Sequence, residues 1–226
     1  VTQNSYKGAI VPHIFNLFKY LKIMINLSKG GNINLSKEAA GITVFRMGLA
    51  WDVNTNGGAD FDLDAAAIPC KEDGKAVGSD ALCFYGNLNW GNGAIKHSGD
   101  ERTGAAEGDD ETITIDTAKL PADVKKVIVL VNIHEAKLRQ QNFGMVKNAK
   151  VTLYKGESGV AEADILAKYD LEEDASMSCC LVFCELYKKD NDWKFKAINE
   201  SQGSSQDTTY SQVLSKFGLQ AGPSNL

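Results

Sequence analysis

Residues 51 to 64 read Trp-Asp-Val-Asn-Thr-Asn-Gly-Gly-Ala-Asp-Phe-Asp-Leu-Asp, a run dense in oxygen-bearing side chains beside two glycines. Its first half imitates an EF-hand loop, with Asp52, Asn54 and Asn56 alternating ahead of Gly57. That loop needs a bidentate Glu at its twelfth position, where Leu63 stands, and flanking helices where strand-forming residues occur. The EF-hand reading fails. Asp60, Asp62 and Asp64 instead alternate with Phe61 and Leu63, so on a strand the three carboxylates share one face and the apolar pair points inward. Carboxylates two residues apart on a strand are about 6–7 Å apart at the backbone. Like charges at that spacing repel unless a positive ion stands between them. A hard divalent cation taking six to eight oxygens fits, with the Asn54 and Asn56 amides and loop carbonyls as neutral donors. A solvated acidic strand edge is the plainer alternative.

A second acidic stretch, residues 100 to 111, holds six acids: Asp100, Glu101, Glu107, Asp109, Asp110 and Glu111. An acidic surface loop alone carries little information. Two such loops at one end of a sandwich can converge on one ion. Asn132, His134 and Glu135 close an apolar strand nearby in sequence. Calcium prefers oxygen, so Glu135 is the better candidate contact and His134 the better orienting residue. Asn87 and His97 read as structural loop positions.

Two other chemistries compete. Clustered carboxylates could hold two metals and hydrolyse phosphoesters, but such sites usually add histidines, and the chain has three in all. Calcium could bridge acidic loops to lipid head groups, but residues 54 to 59 offer neither apolar nor basic tips. No Ser-His-Asp or Cys-His arrangement and no phosphate-cradling loop is visible, so the expectation is a binding protein rather than an enzyme.

The elements that must position these residues read as short strands. Candidates are residues 42–51, 61–68, 81–85, 111–116, 127–133, 149–154, 167–171, 180–187 and 193–198, rich in β-branched and aromatic residues and separated by Gly, Asn and Asp turns. One short helix is expected near residues 210–217. The implied fold is all-β, a β-sandwich of two antiparallel sheets with short helices and calcium-binding loops. Residues 1–23 read as an N-terminal extension, with Ile10, Ile14, Phe18 and Leu21 on one face of an accessory helix, and residues 24–226 as the sandwich domain.

The formal charge of −5, from 29 acids against 24 Lys and Arg, argues against nucleic-acid binding. No stretch is long and apolar enough for a transmembrane segment. Cys70, Cys83, Cys179, Cys180 and Cys184 lack zinc-site spacing and read as reduced core thiols, which points to the cytoplasm.

Taken together, these stretches resemble the tellurium-resistance TerD-type family, which includes bacterial general stress proteins and cyclic-AMP-binding relatives. The resemblance covers residues 25 to 198. It is carried by Gly48-Leu-Ala-Trp-Asp52, Asp60-Phe-Asp-Leu-Asp-Ala65, His97-Ser-Gly-Asp100, Gly108-Asp-Asp-Glu111, Ile133-His134, Gln141-Asn-Phe-Gly144, Glu185-Leu-Tyr187 and Trp193-Lys-Phe195. The resemblance implies a calcium-binding β-sandwich, typically with two ions, acting in stress response or tellurite resistance through protein partners or self-association. Carried onto this sequence, the implied ligands are Asp52, Asn54, Asp60, Asp62 and Asp64, with Asp100, Asp109, Asp110, Glu111 and Glu135. Cys184, where the family has Gly, and Asn199-Glu-Ser201, in place of a Gly-rich run, depart from its pattern.

Overall fold

Strand β3 (Val44–Ala50) shows how sequence alternation becomes a sheet: Phe45, Met47 and Leu49 are buried, while Arg46 and Gly48 occupy the other face. A computed structural model describes residues 25–157, 161–171, 177–203 and 210–220. The expected accessory helix of residues 1–23 lies outside the described residues.

Around β3 a seven-stranded sheet assembles from β1 (Ile25–Asn26), β5 (Asn89–Trp90), β6 (Ile95–His97), β7 (Glu111–Asp116), β9 (Lys150–Lys155) and β10 (Ile165–Asp170). Its order is β1-β10-β9-β3-β7-β6-β5. A five-stranded sheet contains β2 (Asn32–Asn34), β4 (Leu63–Cys70), β8 (Lys126–Ile133), β11 (Cys180–Lys189) and β12 (Asp192–Ser201), in the order β2-β12-β11-β8-β4. All pairings are antiparallel except β1 on β10, which is parallel. The β11–β12 hairpin turns on Asp190 and Asn191, both at positive φ (55° and 65°), as a two-residue primed turn requires.

Three short helices complete the described chain: α1 (Leu35–Glu38), α2 (Ala136–Arg139) and α3 (Tyr210–Lys216). Among the described residues, no helix is long and apolar enough to cross a membrane. The inner faces meet in one core that includes Phe45, Ile113, Leu130, Phe183 and Phe195. All five cysteines are buried and free.

Strand β4 positions part of the acidic cluster. It lies at the edge of its sheet, where unpaired backbone groups need partners. At Ala65 the N–H donates to Glu111 Oε2 (2.7 Å), and the carbonyl accepts from His97 Nε2 (3.1 Å). At Ala67 both groups pair with Cys83 (2.8 and 2.9 Å). Residues 81–85, expected as a strand, make only this isolated bridge and a second between Phe84 and Asn87. With Glu111 and His97 already capping the edge at Ala65, no room is left for a continuous ladder.

Candidate metal centre

Antiparallel pairing of β4 with β8 sets Leu63 against Ile133 and Asp64 against Asn132. Just beyond the strand, His134 N–H donates to the Asp62 carbonyl (2.8 Å). Phe61 and Leu63 are buried in the core, as their alternation implies. Asp62 and Asp64 share the opposite face and are also buried, at 3% and 6% exposure. Asp100 comes from the loop after β6. One carboxylate oxygen each from Asp62, Asp64 and Asp100 lies within 4.8 Å of the others.

Cations surround this triad without saturating it. Arg139 Nη1, from the end of α2, lies 3.2 Å from Asp62 Oδ2, and the exposed Arg102 Nε lies 3.9 Å from the same oxygen. His134 Nδ1 is 3.7 Å from Asp64 Oδ2. Asp62 Oδ1 remains buried with no hydrogen-bond partner. Burial pushes the Asp62 carboxyl up, against the pull of His134 and Arg139, and Asp100 adds to the rise. Burial likewise raises Asp64, partly offset by His134, with Asp62 and Asp100 adding repulsion. The neighbouring Asp64 carboxylate in turn holds the His134 imidazole above its ordinary range. An orphaned buried oxygen among three converging carboxylates is the donor set of a hard divalent cation, so calcium fits this corner. Asp62, Asp64 and Asp100 would hold it, and its charge would neutralise their mutual repulsion.

The remaining candidates do other work in this structure. Asp60 is exposed, so its side chain does not join the buried pair Asp62 and Asp64. Its carbonyl, with that of Ala59, accepts from Gln141 Nε2, which fastens the run beside α2. Asp52 is exposed and accepts from Asn148 Nδ2 (2.6 Å). The Asn54 amide donates to the Gly57 and Ala59 carbonyls and so closes its own loop. Asp110 accepts from the backbone N–H of Trp51 (2.9 Å) and of Ala106 (3.1 Å). Asp109 stands over Gly48 on the outer face of β3, accepting from the Tyr154 hydroxyl (3.2 Å) and facing Arg46 (3.6 Å). Glu135 is exposed, with its carboxylate 3.5 Å from Arg139 Nε.

Glu111 is fully buried, and it ties the two sheets together through Ala65 N–H and His97 Nε2 (3.3 Å). Gly99 N–H donates to His97 Nδ1 (3.0 Å), which leaves the ring proton on Nε2 to serve Ala65 and Glu111. Burial pushes the Glu111 carboxyl up to about 7, opposed by the contact with His97. Arg139 and Arg102, the counter-ions of Asp62, were not visible in the sequence. They sit 77 and 40 positions away from it, and no periodicity links them.

Comparison with known proteins agrees with this architecture. Residues 23–207 match the TerD domain family. The chain is 38% identical to the tellurium resistance protein TerD of Serratia marcescens, over 87% of this chain and 98% of that protein. It is also 38% identical to general stress protein 16U of Bacillus subtilis (strain 168), over 88% and 99%. A solved structure of a homologue of the telluride resistance protein TerD from Streptomyces coelicolor A3(2) superposes with a TM-score of 0.59 at 22% identity, covering 73% of this chain and 92% of that one. The chain belongs to the TerD family of tellurium-resistance and stress proteins.

Proposed function

We propose that this protein is a calcium-stabilised binding or scaffold module of the stress and tellurium-resistance response. One observation carries the reading: Asp62, almost wholly buried, keeps one carboxylate oxygen without a partner where Asp64 and Asp100 converge. A buried unpaired oxygen costs on the order of 1–3 kcal/mol, more when charged, and a divalent ion removes that cost. The ion's role here is structural, locking the edge strand β4 to the loop that carries Asp100. The names of its relatives support a stress role, since TerD of Serratia marcescens and protein 16U of Bacillus subtilis are called tellurium resistance and general stress proteins.

Calorimetric titration of chelator-treated protein with calcium, magnesium and zinc tests the reading. Calcium is expected to bind tightest, because the donors are all oxygen. No calcium heat at millimolar concentration refutes it. The stoichiometry also decides between one ion at this triad and the two that the family resemblance implies. In this structure Asp110 and Glu111 already engage backbone donors.

A further inference from the structure

Beside the acidic triad lies a cavity of about 500 Å³, within the usual range for small-molecule sites. Its walls are largely apolar or aromatic, from Tyr85, Ile133, Leu138, Cys179 and Tyr210, and Asp64 and His134 are among the polar groups that line it. Leu138 is 77% exposed at the mouth, an apolar side chain that a ligand would cover. Tyr85 and Tyr210 bring two aromatic rings to the cavity wall, and aromatic rings attract cations. We propose that this cavity binds a small aromatic amine, with its ring against Tyr85, Leu138 and Tyr210 and its ammonium toward Asp64.

The charge inside the cavity favours a cation over an anion. Burial first, then the carboxylates of Asp64, Asp100, Asp62 and Glu111, pushes the Tyr85 hydroxyl up. Burial first, then Cys180, Asp64, Tyr85 and Glu111, pushes up the Tyr210 hydroxyl. Both rings therefore sit in a field set by acids. His134 lines the same cavity and faces Asp64 at 3.7 Å, beyond hydrogen-bond reach, while Arg139 faces Asp62 at 3.2 Å. Lys137 and Glu135 also line the cavity and are both exposed, and Glu135 faces Arg139 at 3.5 Å. A ligand carboxylate placed here meets repulsion; an ammonium replaces its lost hydration with a carboxylate and two aromatic rings.

The site needs no metal, so the test runs on the full chain in chelator, and its outcome is separate from that of the calcium titration. Tryptamine and indole-3-propionate serve as matched probes of opposite charge. Tryptamine is expected to bind at least ten-fold tighter by calorimetry. Ala136→Phe, which fills the cavity, is expected to abolish the binding. Leu138→Arg, at an exposed position that folding tolerates, is expected to weaken it at least five-fold. The proposal is overturned if tryptamine gives no binding at millimolar concentration, if the two probes bind equally, or if the Leu138→Arg protein binds tryptamine as the unmodified chain does.

Discussion

Replacing Asp100 by Asn separates the triad from the wider acidic set. The three carboxylate oxygens lie within 4.8 Å of one another. Two unit charges at that distance repel by about 0.9 kcal/mol in water and about 3.5 kcal/mol at an effective dielectric of 20. Asp100 is exposed, so the lower figure applies to its two pairs. Without metal, Asp100→Asn should therefore melt at the same temperature as the unmodified protein or up to a few degrees higher. With metal the order reverses. A calcium site with a dissociation constant near 10 μM gains about 2.7 kcal/mol at 1 mM calcium. For a domain of this size that raises Tm by about 5–11 °C. Removing one of three charged ligands, with a hundred-fold loss of affinity, leaves about 0.4 kcal/mol, or one to two degrees. The assay is thermal unfolding followed by circular dichroism on chelator-stripped protein, with and without 1 mM calcium. Asp52→Asn is the control, because its carboxylate is exposed and hydrogen-bonded to Asn148 outside the triad, so the full calcium shift should persist. An Asp100→Asn protein that keeps a shift above five degrees, or an Asp52→Asn protein that loses it, refutes the geometric assignment.

Other perturbations follow from the same contacts. Arg139→Gln removes the guanidinium 3.2 Å from Asp62, a cation that competes with metal, and should tighten calcium binding several-fold by calorimetry while lowering stability in chelator. Gly48→Ala should destabilise by roughly 2 kcal/mol or more in urea unfolding, since its Cβ would lie 2.0 Å from the Asp109 carboxylate, and Asp109→Ser should restore much of the loss. Glu111 has its folded pKa raised to about 7, so the stability it contributes is present at low pH and falls away as pH rises from about 4.5 through 7. Glu111→Gln should flatten that decline, read as the difference in urea midpoint between pH 5 and pH 8. Burial raises every cysteine thiol, so Ellman's reagent should label native protein slowly and all five thiols promptly in denaturant.

Long strands were legible because alternation survives wherever one face is buried. Residues 111–116 coincide with β7, and the other long candidates fall within a few positions of β3, β4 and β8 to β12. Strands β1, β2, β5 and β6 are two or three residues long, too short for any period to show. Residues 81–85 have strand composition, but their apolar side chains serve burial against β4 rather than a ladder. At the site, alternation placed Asp62 and Asp64 together, and the acidic loop supplied Asp100. It also enlisted Asp60, which is exposed, and Asp110 and Glu111, which engage backbone donors here. Their distant backbone partners, Trp51 and Ala65, are fixed only by tertiary pairing, and sequence spacing does not encode that.

Counter-ions decide how the acidic corner behaves without metal. Three carboxylates in one corner would be untenable if each were unpaired, yet Arg139 and His134 face two of them. The metal-free fold is therefore partly neutralised rather than strained open, and an incoming ion must outcompete a guanidinium that a four-residue helix delivers. That helix, α2, begins after Glu135 and ends at Gln140, both in the left-handed region (φ 49° and 55°), and its last turn closes on the Ala136 and Lys137 carbonyls. Ala136, Lys137 and Leu138 of the same helix also line the cavity. One short element thus carries both Arg139, which faces Asp62 in the acidic corner, and part of the wall of the apolar pocket.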